Sequence, residues 1–240
     1  MRQGTQDGHS RFRQLVRVVA RSPGVRLVAP GWPDAGRRIV QTPALEALLA
    51  RAIGDRPAPA VGLNAGVGEG LYSPMLRRFA PGARLLEFDF AAPTRSTDAR
   101  AHRFRASLTA IPVRSGSVDL AICTEVLEHV KDDRAAVAEL RRVLSPGGSL
   151  VLSVPTPPAV FDPAHVREGY TLAQLSALFE QQGLTIVEAR YCMHYCFQAV
   201  LTHWRPRRVP LGVILGLAWL DRVVRLGSPM DLVVLARPRT

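Results

Sequence analysis

Residues 60–74 read "AVGLNAGVGEGLYSP". An apolar run leads into Asn64, and Gly66, Gly68 and Gly70 follow at alternate positions. Without a Cβ, glycine lets backbone N–H groups and the start of the next helix come close to a ligand. The spacing is G-x-G-x-G. The dinucleotide fingerprint G-x-G-x-x-G would put its third glycine at Leu71, and that match fails. By itself the loop also fits a plain tight turn between a strand and a helix.

Outward from this loop, strand and helix patterns alternate. "ARLLEFD" reads as a second strand, "HRFRAS" as a weak third, "VDLAICT" as a fourth and "SLVLSVP" as a fifth. Between the last two, "DDRAAVAELRRVL" is an amphipathic helix with Val137, Leu140 and Leu144 on one face, stopped by "SPGG". "TLAQLSALFEQQG" is a helix with Thr171 and Gln174 as a capping box and Gly183 as terminator. "LTIVEARY" and "MDLVVLAR" are further strands. Upstream, "TPALEALLARAIG" predicts a helix capped by Thr42, with Pro43 in its first turn and Gly54 closing it. Such alternation predicts an α/β fold with a mostly parallel, doubly wound sheet. Ligands bind such sheets outside the carboxyl ends of the strands.

The second strand ends in Asp89, about 20 residues beyond the glycines. A carboxylate there can accept hydrogen bonds from both hydroxyls of a ribose. Glu87 lies on the same face by period-two alternation, but Asp89 is nearer the strand end and is preferred.

Composition narrows the setting. The 240 residues suit one domain, nearly half are hydrophobic, and the net charge is +11 with Lys131 the only lysine. The arginines are scattered, densest in the first 26 residues and at Arg205–Arg208, with no aromatic interleaving and no nucleic-acid motif. Cys123, Cys192 and Cys196 form no disulfide framework, so a reducing, cytoplasmic compartment is expected. No apolar run reaches the roughly 18–20 residues that span a bilayer, and no secretory signal is evident. Residues 1–41 read as a basic N-terminal extension. Residues 42–240 read as the domain, with an apolar helical insertion at about 196–228.

The ordered set of the glycine loop, Asp89, "IPVRSGSVDL", "EVLEHV", "ELRRVLSPGGSLVLSVP" and "YTLAQLSALFEQQGL" resembles the class I S-adenosylmethionine-dependent methyltransferases. The branch it resembles contains the ubiquinone and menaquinone methyltransferases, and the likeness covers about residues 60–191. It implies a Rossmann-like sheet of seven strands whose last strand, "MDLVVLARP", is antiparallel. It implies S-adenosyl-L-methionine as cofactor. Asn64, Gly66, Gly68 and Gly70 would lie at the methionine part, Asp89 at the ribose and Phe90 against the adenine. Ser107 and Leu108 would lie beside the adenine, and Glu125 under the sulfonium. Two positions depart from the family pattern. Asn64 and Ser107 stand where acids are usual, which predicts weaker cofactor binding by ~1–2 kcal/mol each.

On the acceptor side, His129 is the first candidate for a general base, because a neutral imidazole is available near pH 7. "FDPAHVREGYT" concentrates His165, an alternative base, with Arg167, a candidate for binding an acceptor's carboxylate or phosphate, and Tyr170. Glu168 and Gly169 fit a turn leading into Thr171. "CMHYC" has metal-ligand chemistry in Cys192, His194 and Cys196 but no fourth ligand, so no metal is expected. The run 205–227 could lie on an anionic bilayer, wall a lipophilic pocket, or pack on the sheet or in a homodimer. The function expected is methyl transfer to an O, N or C nucleophile of a small molecule: a quinone-like lipid, a sugar intermediate or a secondary metabolite. Two rivals are a catalytically weakened binding or scaffold protein and a nucleic-acid methyltransferase. Against the second, "TEVLEH" stands where an "NPPY"-like or "PC" motif would be, and no nucleic-acid partner is expected.

Overall fold

Seven strands form one sheet: β1 Val61–Ala65, β2 Arg84–Asp89, β3 His102–Arg105, β4 Val118–Thr124, β5 Leu144–Pro155, β6 Leu184–His194 and β7 Pro229–Pro238. Their order is β3-β2-β1-β4-β5-β7-β6. The pairs β1–β2, β1–β4, β2–β3 and β4–β5 are parallel, and β7 runs antiparallel to β5. The computed structural model describes residues 27–28, 32–54, 56–91, 100–158, 162–194 and 209–239. Residues 1–26, Arg205–Arg208 and Cys196 lie outside them.

This order places the site. The chain winds from β1 out to β3, then returns to β4 on the other side of β1. The connections leaving β1 and β4 therefore run in opposite directions, and a crevice opens at their carboxyl ends. The strands are apolar because both faces are covered: Leu63, Ala65, Leu120, Ile122, Leu150, Leu152, Val233 and Leu235 are all buried.

The helices follow their sequence signals with one exception. In α3 (Asp133–Val143) the stripe Ala136, Val137, Leu140 and Val143 is buried, and Asp132 accepts from the Ala135 N–H at 2.9 Å. Thr171 and Gln174 form the reciprocal capping box of α4 (Leu172–Gln181). The exception is α1, which runs from Trp32 to Ile53 with Pro43 inside it. Thr42-Pro43 has the chemistry of a helix start, but the buried stripe Ala44, Leu45, Leu48, Leu49 and Ala52 extends back to Val40 at helical spacing. "SPGG" also differs from expectation. β5 follows α3 directly, Leu144 pairs with Val118, and the register shifts before Leu120 pairs with Ser149.

The chain divides into two compact units, Pro43–Cys192 with Met230–Thr240, and Met1–Thr42 with Met193–Pro229. The second contains α5 (Leu211–Val224) and a two-residue antiparallel ladder of Leu27–Val28 with Val209–Pro210. Ala218 and Asp221 of α5 are buried, whereas Leu215, Trp219, Leu220 and Val223 are exposed. Among the described residues no helix is long and apolar enough to cross a membrane.

Candidate active site

The loop after β1 is fixed by its backbone. The N–H groups of Gly66 and Val67 both donate to the Phe88 carbonyl of β2 at 2.9 Å. Gly66 has φ 75°, and a Cβ there would sit 2.3 Å from Cγ2 of Val126, just past β4. Glycine is therefore required for the loops after β1 and β4 to touch. Gly68 is the opposite case: at φ 47° a Cβ would meet nothing within 4 Å. Its backbone faces open space, as approach by a ligand needs. Gly70 also has a positive φ, 77°, and its carbonyl accepts from Ser73 at the start of α2 (Ser73–Phe79).

Asp89 closes the loop from the β2 side. Its Oδ2 accepts from the Gly68 N–H at 2.8 Å and its Oδ1 from the Ala91 N–H at 3.0 Å. Each carboxylate oxygen keeps a further lone pair, so a vicinal diol can still be accepted there. Phe90 is 72% exposed, an aromatic face at a strand end with the Arg105 guanidinium 5.8 Å from its ring. Ser107 shares a hydrogen bond with Thr109 at 2.7 Å. The Leu108 side chain is in the core, which leaves its backbone for ligand contact.

The two acids at 125 and 87 part ways. Glu125 is a non-glycine residue at φ 54°, just beyond β4. Its N–H donates to the Ser153 carbonyl, and the Ser153 hydroxyl donates to its carboxylate at 2.7 Å. A left-handed conformation costs a side-chain-bearing residue about 1–3 kcal/mol, and the two bonds to Ser153 hold it here. Glu87 is fully buried, and the Arg103 guanidinium holds its carboxylate at 3.0 Å. Its place as a second ribose acceptor is thereby corrected. Asn64, Glu87 and Arg103 are register partners across β1, β2 and β3. Asn64 is itself buried, and its amide nitrogen donates to Ser73 Oγ at 3.3 Å. The amide thus sits one strand from a buried carboxylate.

The acceptor side gathers His129 and His165. Their rings meet edge to face at 4.7 Å between centroids. His129, about a third exposed, directs Nδ1 at the Ala164 carbonyl at 3.0 Å and Nε2 toward Glu128 Oε1 at 3.8 Å. The carbonyl favours a proton on Nδ1, which leaves Nε2 as the basic nitrogen. Glu128 is buried, and ligand atoms of Glu128, His129 and His165 lie within 4.8 Å of one another. Among the described residues these three side chains form the one cluster able to take a cation. Cys123 is buried, and burial, then the carboxylates of Glu128 and Glu125, push its thiol's pKa up, away from the thiolate.

Arg167, expected to bind an acceptor's carboxylate or phosphate, and Tyr170, expected in the chemistry, are already engaged. Both are tied to Asp133 of α3. Arg167 Nη1 bridges to Asp133 Oδ2 at 2.6 Å and donates to the Tyr170 oxygen, and the Tyr170 hydroxyl donates to Asp133 Oδ2 at 2.9 Å. Burial, with Asp133 adding to it, drives the phenol's pKa above its ordinary value despite Arg167. Tyr170 therefore stays neutral and positions the segment, and Arg167 already has its anion. The sequence reading missed Glu128, Asp133 and Arg103. For Glu128 and Arg103 the signal was present, as charged residues at positions the pattern turns inward. Of "CMHYC", His194 takes two hydrogen bonds to Asp221 through its N–H and one through Nδ1, and Cys196 lies outside the described residues.

Residues 63–152 match the family model described as a methyltransferase domain. A probable S-adenosylmethionine-dependent methyltransferase of Mycolicibacterium smegmatis is 31% identical over 144 residues, 55% of this chain and 54% of that protein. A demethylmenaquinone methyltransferase of Thermus thermophilus is 36% identical over 110 residues, 42% and 50% of the two chains. The chain thus spans about half the length of these curated relatives. Among solved structures, the Burkholderia thailandensis 1,6-didemethyltoxoflavin-N1-methyltransferase with bound S-adenosylhomocysteine matches with a TM-score of 0.60. That match covers 96% of this chain and 87% of the other at 18% identity, which speaks to fold.

Proposed function

We propose, from the premise that this chain carries a class I S-adenosylmethionine-dependent methyltransferase domain, that it transfers a methyl group to an O, N or C nucleophile of a small molecule. The observation that carries the reading is the pairing of Gly68 with Asp89 beside open space. It joins a close-approach backbone to a diol acceptor at the β1/β4 crevice. When bound, the cofactor supplies a methyl group on a positively charged sulfur, already activated for displacement. The chain's own work is positioning and exclusion of water. Gly66, Gly68 and Asn64 would hold the amino-acid end, Asp89 the ribose, and Phe90 with Ser107 and the Leu108 backbone the adenine. Glu125, anchored by Ser153, places negative charge at the end of β4 facing the cationic centre. His129 Nε2 takes the proton of an acidic acceptor, with His165 packed on its ring.

Calorimetry with S-adenosylhomocysteine and with NADH tests the cofactor half. Micromolar binding of the first is expected, and tight binding of NADH alone would sink the reading. His129→Ala should lower kcat at least tenfold with cofactor affinity unchanged. A second reading of the acceptor side rests on the cluster of Glu128, His129 and His165. A divalent cation there would bind and acidify an acceptor hydroxyl. Loss of turnover on chelation, restored by added cation, would select that reading over His129 as free base. The exposed apolar side of α5, with Arg222 and Arg225 beside it, favours contact with an anionic lipid surface. Co-flotation with anionic but not neutral vesicles is expected, whereas a dimer that buries Trp219 would show in sedimentation instead.

A further inference from the structure

The end of the sheet away from the crevice has its own concentration of charge. β7 is antiparallel to β5, with Ala236 opposite Leu150, so its last residues emerge where the parallel strands begin. There Arg237 and Arg239 join Arg56, Thr185, Pro146 and Gly148 in lining a groove of about 370 Å³. Three of the described lining side chains are arginines and none is an acid.

Arg237 is the centre of this arrangement. Its Nε is buried and meets no acceptor, while its Nη2 donates to the Arg51 carbonyl at 3.3 Å. Burial, then the positive charges of Arg56 and Arg51, push its pKa down. Like charges are therefore crowded at the groove, a cost that a bound anion removes. Arg56 gives one N–H to the Gly147 carbonyl. It also lines an adjoining depression of about 500 Å³, whose one acid among the described residues is Asp119. That carboxylate is already engaged, accepting from the N–H groups of Ala60 and Val61 and from the Ser145 hydroxyl. Asp55, the acid next to Arg56 in sequence, lies outside the described residues.

We propose that Arg56, Arg237 and Arg239 form an anion site for a small phosphoryl group of two or more negative charges, separate from the methyl-transfer site. Guanidinium forks match phosphate oxygens two at a time. The groove's volume is that of about a dozen waters, enough for a phosphate or diphosphate with its hydration and too small for a folded partner. Its place at the amino ends of the strands leaves the cofactor end untouched.

Calorimetry of the full chain with inorganic pyrophosphate, at constant ionic strength, tests this. Saturable one-to-one binding is expected, weakened at least tenfold in Arg237→Gln and in Arg56→Gln. It should be unchanged in Arg134→Gln, an exposed arginine of α3 that lines neither depression. S-adenosylhomocysteine affinity should stay at the wild-type value in all three, and Arg239→Gln substitutes for Arg237→Gln if the latter fails to fold. Pyrophosphate tighter than adenosine monophosphate would mark a free oligophosphate as ligand. The reverse order would mark the phosphate end of a larger molecule. Absence of saturable binding, or an equal loss in Arg134→Gln, would overturn the proposal, the second by showing diffuse attraction to a basic surface. Because cofactor binding is read separately, failure here leaves the methyl-transfer reading standing.

Discussion

The loop after β1 meets the end of β2 through its own backbone N–H groups, given to the Phe88 carbonyl and the Asp89 carboxylate. Gly68 gives its N–H to Asp89, and Gly66 passes Val126 with no room for a side chain. The segment 162–171 meets the end of β4 and the start of α3 in another way, through His129 on His165 and through Asp133 with Arg167 and Tyr170. The first half is set by local conformation and tolerates few substitutions. The second half is set by side-chain pairs 34–37 residues apart, none of which touches the glycine loop.

The contrast can be broken hardest in the strands beside the glycine loop. Arg103→Ala leaves the buried Glu87 carboxylate without its cation, and should cost about 3–5 kcal/mol by chemical denaturation. Next, Asp89→Ala should weaken S-adenosylhomocysteine about 100-fold, about 2.7 kcal/mol, with the fold retained. A loss under threefold would mean that the loop does not hold the ribose. Mildest is Tyr170→Phe on the acceptor half, costing about 1 kcal/mol of stability with kcat little changed. It has a pH signature. The folded phenol keeps its proton above the ordinary value of about 10, whereas the unfolded chain releases it there, so the native state loses stability as pH rises past that value. Wild type should lose more stability than the Phe variant between pH 8 and pH 11. A drop in kcat at pH 7 with stability intact would return Tyr170 to the chemistry.

Legibility in the sequence follows the same division. Asp89 could be found from its distance to the glycines, and the α4 cap from Thr171 and Gln174, because both depend on a few neighbouring residues. Arg167 and Tyr170 were assigned by residue type to acceptor chemistry. Only the packing of 162–171 on α3 shows that Asp133 already occupies them. Glu87 resembled a second ribose acid because alternation gives a face but not a depth. The start of α1 was misplaced because Thr42-Pro43 is a strong local signal, and the buried stripe reaching back to Val40 overrides it.

The row of Asn64, Glu87 and Arg103 couples positions 64 and 87. Neighbouring strands are about 4.8 Å apart, so an acid introduced at 64 would stand beside a second buried carboxylate, with the one guanidinium on the far side of Glu87. Asn64→Asp alone should therefore destabilise the fold by about 1–3 kcal/mol, with one of the two carboxyls forced to keep its proton. Joined with Glu87→Gln, it should recover the like-charge part of that loss but not the ion pair of Arg103, whose partner stands on β2 and not on β1. The charge that the sequence lacks at Asn64 has a buried counterpart in Glu87, one strand over and already held by Arg103.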